Sequence, residues 1–170
     1  MLLLHEQVQL FKTLHKEWFE NRQFWFDKNP EYDEYLVDKY FHHIKYNFEY
    51  DFNNFKHEDK EVHIGAIIAY DQIPRHFMRH ANEDDSYSIP YSKIAENISL
   101  TFMSEVYGKT PDYENISVPE WCFILLPFRH LKDNIKIKRS IDFMISKHNN
   151  PYISLEDKNK IGRASCRERV

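Results

Sequence analysis

The stretch Ile64-Gly-Ala-Ile-Ile-Ala-Tyr-Asp-Gln-Ile-Pro-Arg-His-Phe-Met-Arg79 decides how this chain folds. Its first half is an apolar helical run that closes on Asp71 and Gln72. Pro74 has no N–H to continue the hydrogen-bond ladder, so it ends or kinks that helix. Beyond it, Arg75 and Arg79 stand one turn apart in a shorter helix over about 74–81. Gly65 and Ala66 mark a point of close packing in the apolar half. An acid, an amide and two guanidinium groups therefore gather at a helix break that abuts the core. Such an arrangement holds an anion or ties two helices together.

Working outward, the same periodicity recurs. Leu4, Val8, Phe11, Leu14, Trp18 and Phe19 are spaced mostly by three and four, which predicts an amphipathic helix over about 4–20. The aromatic cluster Phe24, Trp25, Phe26 follows as a loop or short turn. Pro30 suits a first helical turn, and Tyr32, Tyr35, Leu36, Tyr40 and Phe41 give a second helix its stripe, to about 48. The third helix spans about 58–71. Residues 82–88 are polar and loop-like. Pro90 opens a fifth helix carrying Ile94, Ala95, Ile98, Phe102, Met103 and Val106, and Gly108 ends it. A sixth begins at Pro119, runs through Trp121 and Phe123 to Leu126, and is expected to break at Pro127. A seventh is expected over about 131–147. No segment shows sustained alternation, so the fold class is all-α, with helices paired as antiparallel hairpins.

Composition agrees. The chain has 170 residues, 42% apolar and 16% aromatic, with only 3 glycines, which fits one domain with a proper core and excludes turn-rich β architecture. No window approaches the roughly 18 to 20 apolar residues of a membrane span, and Met1 to Leu4 is too short for a signal peptide. A cytoplasmic location is the expectation. Cys122 and Cys166 form neither a disulfide framework nor a metal spacing, and Cys122, inside an apolar run, reads as an inert buried thiol.

The last ten residues, Ile161 to Val170, stand apart. They hold three Arg and no Lys, and one choice of codons for them matches a widely used short-read sequencing adapter. They are read as a non-native tail on a domain over 1–160, with the natural chain expected to continue differently past Lys160. Without them the formal charge moves from −4 to −6. An acidic chain lacking a basic stripe argues against nonspecific nucleic-acid binding. Loss of a terminal helix exposes its neighbours' apolar faces, so self-association is expected.

Four constellations carry chemistry. Arg75 and Arg79, at i and i+4, present two forks on one face suited to a carboxylate or phosphate, with Asp71 and Gln72 beside them. In the competing reading Asp71 accepts from Arg75 or caps the new helix, and the set is architectural. His130 and Asp133 could serve as base and orienting acid, against a structural histidine with a helix-capping acid. His76 and His80 have the spacing of a helical metal pair, but no zinc-protease pattern surrounds them, and a solvated helix face is the better reading. Trp18, Phe19, Trp25 and Phe26 read as core rather than as a cradle for a flat ligand. No motif names a cofactor or a metal site.

Three blocks resemble a bacterial family known as domain of unknown function family 924. Trp25-Phe26 with Asp33 and Phe41 is similar to its Trp-Phe, Asp, Phe spacing. Ala66 to Arg79 resembles its Leu-Leu-Asp-Gln-Phe-Pro-Arg-Asn block with a following Arg. Phe123 to Asp133 resembles its Phe-Leu-Tyr-Leu-Pro-Phe-Glu-His-Ser-Glu-Asp block. The resemblance implies a tetratricopeptide-repeat-like superhelical stack, although no 34-residue signature is visible. It carries over Asp71, Gln72, Pro74, Arg75, Arg79, His130 and Asp133. Arg129 and Lys132 depart from it, standing where the family has acids. A later Arg/His block of the family is missing from this chain.

Two functions compete on these grounds. In the first, Arg75 and Arg79 bind a small anionic ligand, Asp71 orients Arg75, and His130 and Asp133 are the acid and base. In the second, a concave helical surface binds a peptide and the polar motifs only brace the turns. A pocket containing both an arginine and His130 favours the first.

Overall fold

The computed structural model describes residues 2–45, 50–107, 116–132, 134–136, 138 and 142. Among these the regular elements are helical throughout, with no strand, as the periodicity requires. Six helices make the frame: α1 Leu4–Glu20, α2 Pro30–Leu36, α3 Lys60–Asp71, α4 Ile73–Ala81, α5 Ile89–Thr101 and α6 Val118–His130. Two of them run on through wider turns. α2 passes through a π turn, Val37–Phe41, into His42–Ile44, and α5 continues as a π turn over Phe102–Tyr107.

Local chemistry sets the helix starts. The Asn29 side chain accepts from the Tyr32 N–H at 3.0 Å, and Pro30 occupies a position whose N–H would be orphaned in any case. α6 opens with a reciprocal cap: the Glu120 N–H donates to the Ser117 hydroxyl, and the Ser117 N–H donates to the Glu120 carboxylate at 2.7 Å. α4 stops where Asn82 turns left-handed at φ 55°, which lets the Glu83 N–H reach back to the Met78 carbonyl at 2.9 Å.

α3 is the centre. Every residue from Val62 to Asp71 is buried, so apolar neighbours surround its axis, and it packs on α1, α4, α5 and α6. Gly65 permits the closest of these approaches. A Cβ there would lie 2.1 Å from the Phe11 carbonyl oxygen of α1, so only glycine fits the crossing. Phe123 of α6 receives the rings of Trp18, Phe19 and Trp25 edge-on, at 5.4, 5.8 and 4.8 Å between centroids. Three of the four rings expected as core are thus packed; Phe26 is not, standing 70% exposed.

The sequence reading needs one correction here. Pro127 does not break α6, which runs on to His130. Proline costs the helix its bond to the Phe123 carbonyl. The buried Leu125, Pro127 and Phe128 pack it through this point, and the Leu131 N–H closes on the Pro127 carbonyl at 3.2 Å. The expected break at Pro74 is present: α3 ends at Asp71, and Pro74 sits in the first turn of α4, where no donor is needed. The expected seventh helix and residues 161–170 lie mostly or wholly outside the described residues.

Candidate functional site

The α3–α4 junction places Asp71 where its carboxylate is only 1% exposed. A buried carboxylate needs several donors to stay ionised, and four side chains surround this one. His130 Nδ1 donates to it at 2.8 Å, Gln72 Nε2 at 2.5 Å and Ser92 Oγ at 3.2 Å, while Arg75 Nε stands 3.8 Å away. Burial alone would raise the Asp71 pKa; His130, Arg75 and Gln72 outweigh it and bring it below the ordinary value. Ser92 is a relay, donating to Asp71 and accepting from Arg75 Nη2 at 3.0 Å. Burial also lowers the Arg75 pKa, but a guanidinium keeps its charge. One acid at the end of α3 thereby positions a histidine on α6 and a serine on α5, and stands beside an arginine on α4.

Arg75 and His130 line one cleft of about 730 Å³ between α4, α5 and α6. Lys93, Arg129, Lys132 and Lys136 line it too, against the carboxylates of Asp85 and Glu96. Glu96 is engaged by Lys136 at 2.5 Å. His130 meets Asp71 through Nδ1, so that contact leaves Nε2 unengaged. Five cationic side chains and two acids thus line it, with the carboxylate of Asp71 beneath Arg75 and His130.

Arg79 belongs elsewhere. It forms a two-pronged pair with Asp33 of α2, Nε to Oδ2 at 3.1 Å and Nη2 to Oδ1 at 2.7 Å, and His76 donates to the same carboxylate. Burial would raise the Asp33 pKa, yet His76 and Arg79 hold it at about 2. Arg79 and Asp33 line a second, smaller cleft of about 550 Å³ with Lys28, His80 and Glu83. The two forks of α4 thus have separate acids and line different clefts, which meet at Asp85. His76 also corrects the sequence reading: only His80 lies on a solvated face, and His76 is buried against Asp33.

Asp133 lies outside the described residues. The orienting acid that the structure gives His130 is Asp71, 59 residues away in sequence. Sequence reasoning also missed Ser92, Lys93 and the acid Asp33 as members of these networks. A third buried carboxylate went unnoticed. Glu120 of α6 binds His15 of α1 and Lys60 of α3, each at 3.0 Å, and despite its burial its pKa is drawn down to about 2. The one available signal was its place in the Ser117 cap. Cys122, expected to be buried, is half-buried, and desolvation pushes its thiol up to about 11. Among the described residues no three His, Cys, Asp or Glu side chains are gathered as a metal ion requires.

The profile of a bacterial protein family of unknown function (DUF924) matches residues 13–164. The chain belongs to this family. A search of curated proteins and one of solved structures found no match. In this DUF924 member the Asp71 to Arg79 and Phe123 to His130 blocks are joined in space by the Asp71–His130 hydrogen bond. Arg129 and Lys132 are both in the cleft wall. No helix among the described residues is long and apolar enough to cross a membrane.

Proposed function

We propose that the cleft between α4, α5 and α6 binds a small anionic ligand. One observation carries this reading: Arg75 and His130, gathered around the buried Asp71, line a single cleft whose other cations are Lys93, Arg129, Lys132 and Lys136. The cleft's volume suits a small molecule. Asp71 and Gln72 act from beneath as positioning residues, and Arg79 is the clasp between α4 and α2 rather than a ligand group. The peptide-binding alternative gains nothing from the geometry.

Calorimetric titration with inorganic sulfate at low ionic strength tests the proposal. Saturable binding should weaken about ten- to hundredfold in Arg75→Gln, the cost of one charge-assisted contact. Because Arg75 is largely buried, Lys93→Gln and Lys132→Gln serve beside it, both at exposed positions. Equal affinity in all three variants, or no saturable binding in the parent, would count against the site.

A further inference from the structure

The polar link Asn82-Glu-Asp-Asp-Ser86 follows α4, and one of its acids belongs to both clefts. Asp85 lines the Arg75–His130 cleft and the Arg79 cleft alike. Its backbone is held on both sides. The Asp84 side chain accepts from the Ser86 N–H at 2.8 Å, and the Ser88 hydroxyl donates to the Asp85 carbonyl at 3.1 Å. Asp85 is exposed, and among the described residues no ion pair engages its carboxylate.

Pairing off the fixed charges leaves a different remainder on either side of Asp85. In the first cleft Arg75 stands over Asp71, Lys136 holds Glu96, and Arg129 has a contact of its own. Lys93 and Lys132 remain, both exposed, with Asp85 the one lining acid left to face them. In the second cleft Arg79 is spent on its two-pronged pair with Asp33. Glu83 and Asp85 remain there against Lys28, beside the imidazole of His80. Cations thus prevail toward α5 and α6, and acids toward α4.

Asp85 also acts on Arg75 through space. Burial lowers the Arg75 pKa, while Asp71 and then Asp85 raise it. An anion held by Arg75 and Lys93 therefore lies within the field of the Asp85 carboxylate. A plain anion meets that carboxylate as a like charge. A ligand with an ammonium group on the Asp85 side meets it as a partner.

Resting on the anion-site reading above, we infer that the ligand is a small zwitterion, its anionic group held among Arg75, Lys93 and Lys132 and its ammonium group held by Asp85, where the second cleft begins. No covalent bond forms or breaks. Neutralising Asp85 then helps a plain anion and harms the zwitterion. A general loss of folding cannot produce effects of opposite sign.

The experiment uses the full chain at low ionic strength near pH 7.5, with probes that differ only in the ammonium group. Taurine and homotaurine are compared with ethanesulfonate and propanesulfonate by titration of backbone amide resonances. At least one aminosulfonate should bind about three- to fivefold more tightly than its unsubstituted counterpart, the upper range for an exposed ion pair. It should also add a saturable shift at Asp85. In the Asp85→Asn variant the preference should vanish, while both plain sulfonates bind about two- to fivefold more tightly than to the parent. The Asp84→Asn variant makes the same charge change one residue away, outside both linings, and should keep the preference.

Equal binding within both matched pairs, or a preference that survives in Asp85→Asn, overturns the zwitterion and leaves the anion site standing. An equal loss in Asp84→Asn does the same, because it reduces the preference to overall charge. No saturable binding of sulfate or of any sulfonate removes the anion site itself, and this inference with it.

Discussion

His63 lies in the first turn of α3 with 0% exposure, its ring stacked on Phe52 at 5.0 Å and tilted against Phe102 at 5.4 Å. Neither ring nitrogen has a hydrogen-bond partner. Burial, opposed by the nearby Glu58 backbone, drives its pKa from 6.5 down to about 4. The unfolded chain therefore binds a proton between those values that the folded chain refuses, so stability falls as pH drops through that window. The full displacement is worth about 3 kcal/mol, a sizeable part of an ordinary domain's stability. The paired carboxylates act lower. Glu120 and Asp33 have folded values of about 2 against ordinary values of 4.5 and 3.8, so their stabilisation is intact above those ordinary values and is lost toward pH 2. The two windows scarcely overlap. His63→Leu removes both unpaired nitrogens from the same apolar site and isolates the effect. Urea unfolding of parent and variant, from about pH 8 to about pH 4, gives the difference directly. The variant should gain about 3 kcal/mol on the parent as pH falls from about 7 to about 4. A difference that stays flat across this range refutes the burial of a neutral, unpartnered imidazole.

Three further perturbations follow from the packing. Gly65→Ala forces α1 and α3 apart, because the new methyl meets the Phe11 backbone at 2.1 Å. The overpacking cost of about 1–3 kcal/mol falls here at or above its upper end, since backbone cannot turn aside, and exceeds the helix-propensity gain of about 1 kcal/mol. The thermal midpoint should therefore drop; an unchanged or raised midpoint contradicts the contact. Glu120→Gln leaves His15 and Lys60 facing a neutral amide, so denaturant titration at neutral pH should show a loss of about 3 kcal/mol. The same variant should lose part of the parent's acid sensitivity below about pH 4.5, where Glu120 would otherwise be protonated. Cys122, with its thiol raised to about 11, should react with a maleimide near pH 8 on the order of a hundredfold more slowly in the folded chain than in urea. Comparable rates would mean an open thiol.

Much of the frame was legible because it is local. The three-and-four spacing of Phe11, Leu14 and Trp18 builds the buried stripe of α1, and Asn29-Pro30 starts α2 by chemistry confined to four residues. Gly65 announced a close crossing, though not which helix would cross. The failures share a physical cause, namely contacts between residues far apart in the chain. His76 is polar and lies on a helix otherwise half exposed, so nothing nearby signalled Asp33, 43 residues earlier, as its partner. His130 bonds to Asp71, 59 residues earlier, a pairing that no local spacing announces. Pro127 signals a break by its own chemistry, yet the packing of Leu125 and Phe128 holds the helix through it. For the site, the right motifs could be named, but their grouping could not. Arg75 and Arg79, one turn apart, share a helix but not an acid.

The most direct measurement is the mapping of inorganic phosphate onto backbone amide resonances of the labelled chain. The account predicts saturable shifts at Arg75, Lys93, Arg129 and Lys132, which line the Arg75–His130 cleft, with Lys28 and Asn82 in the second cleft unmoved. Shifts centred on Lys28 and Arg79, or a uniform drift without saturation, would contradict it.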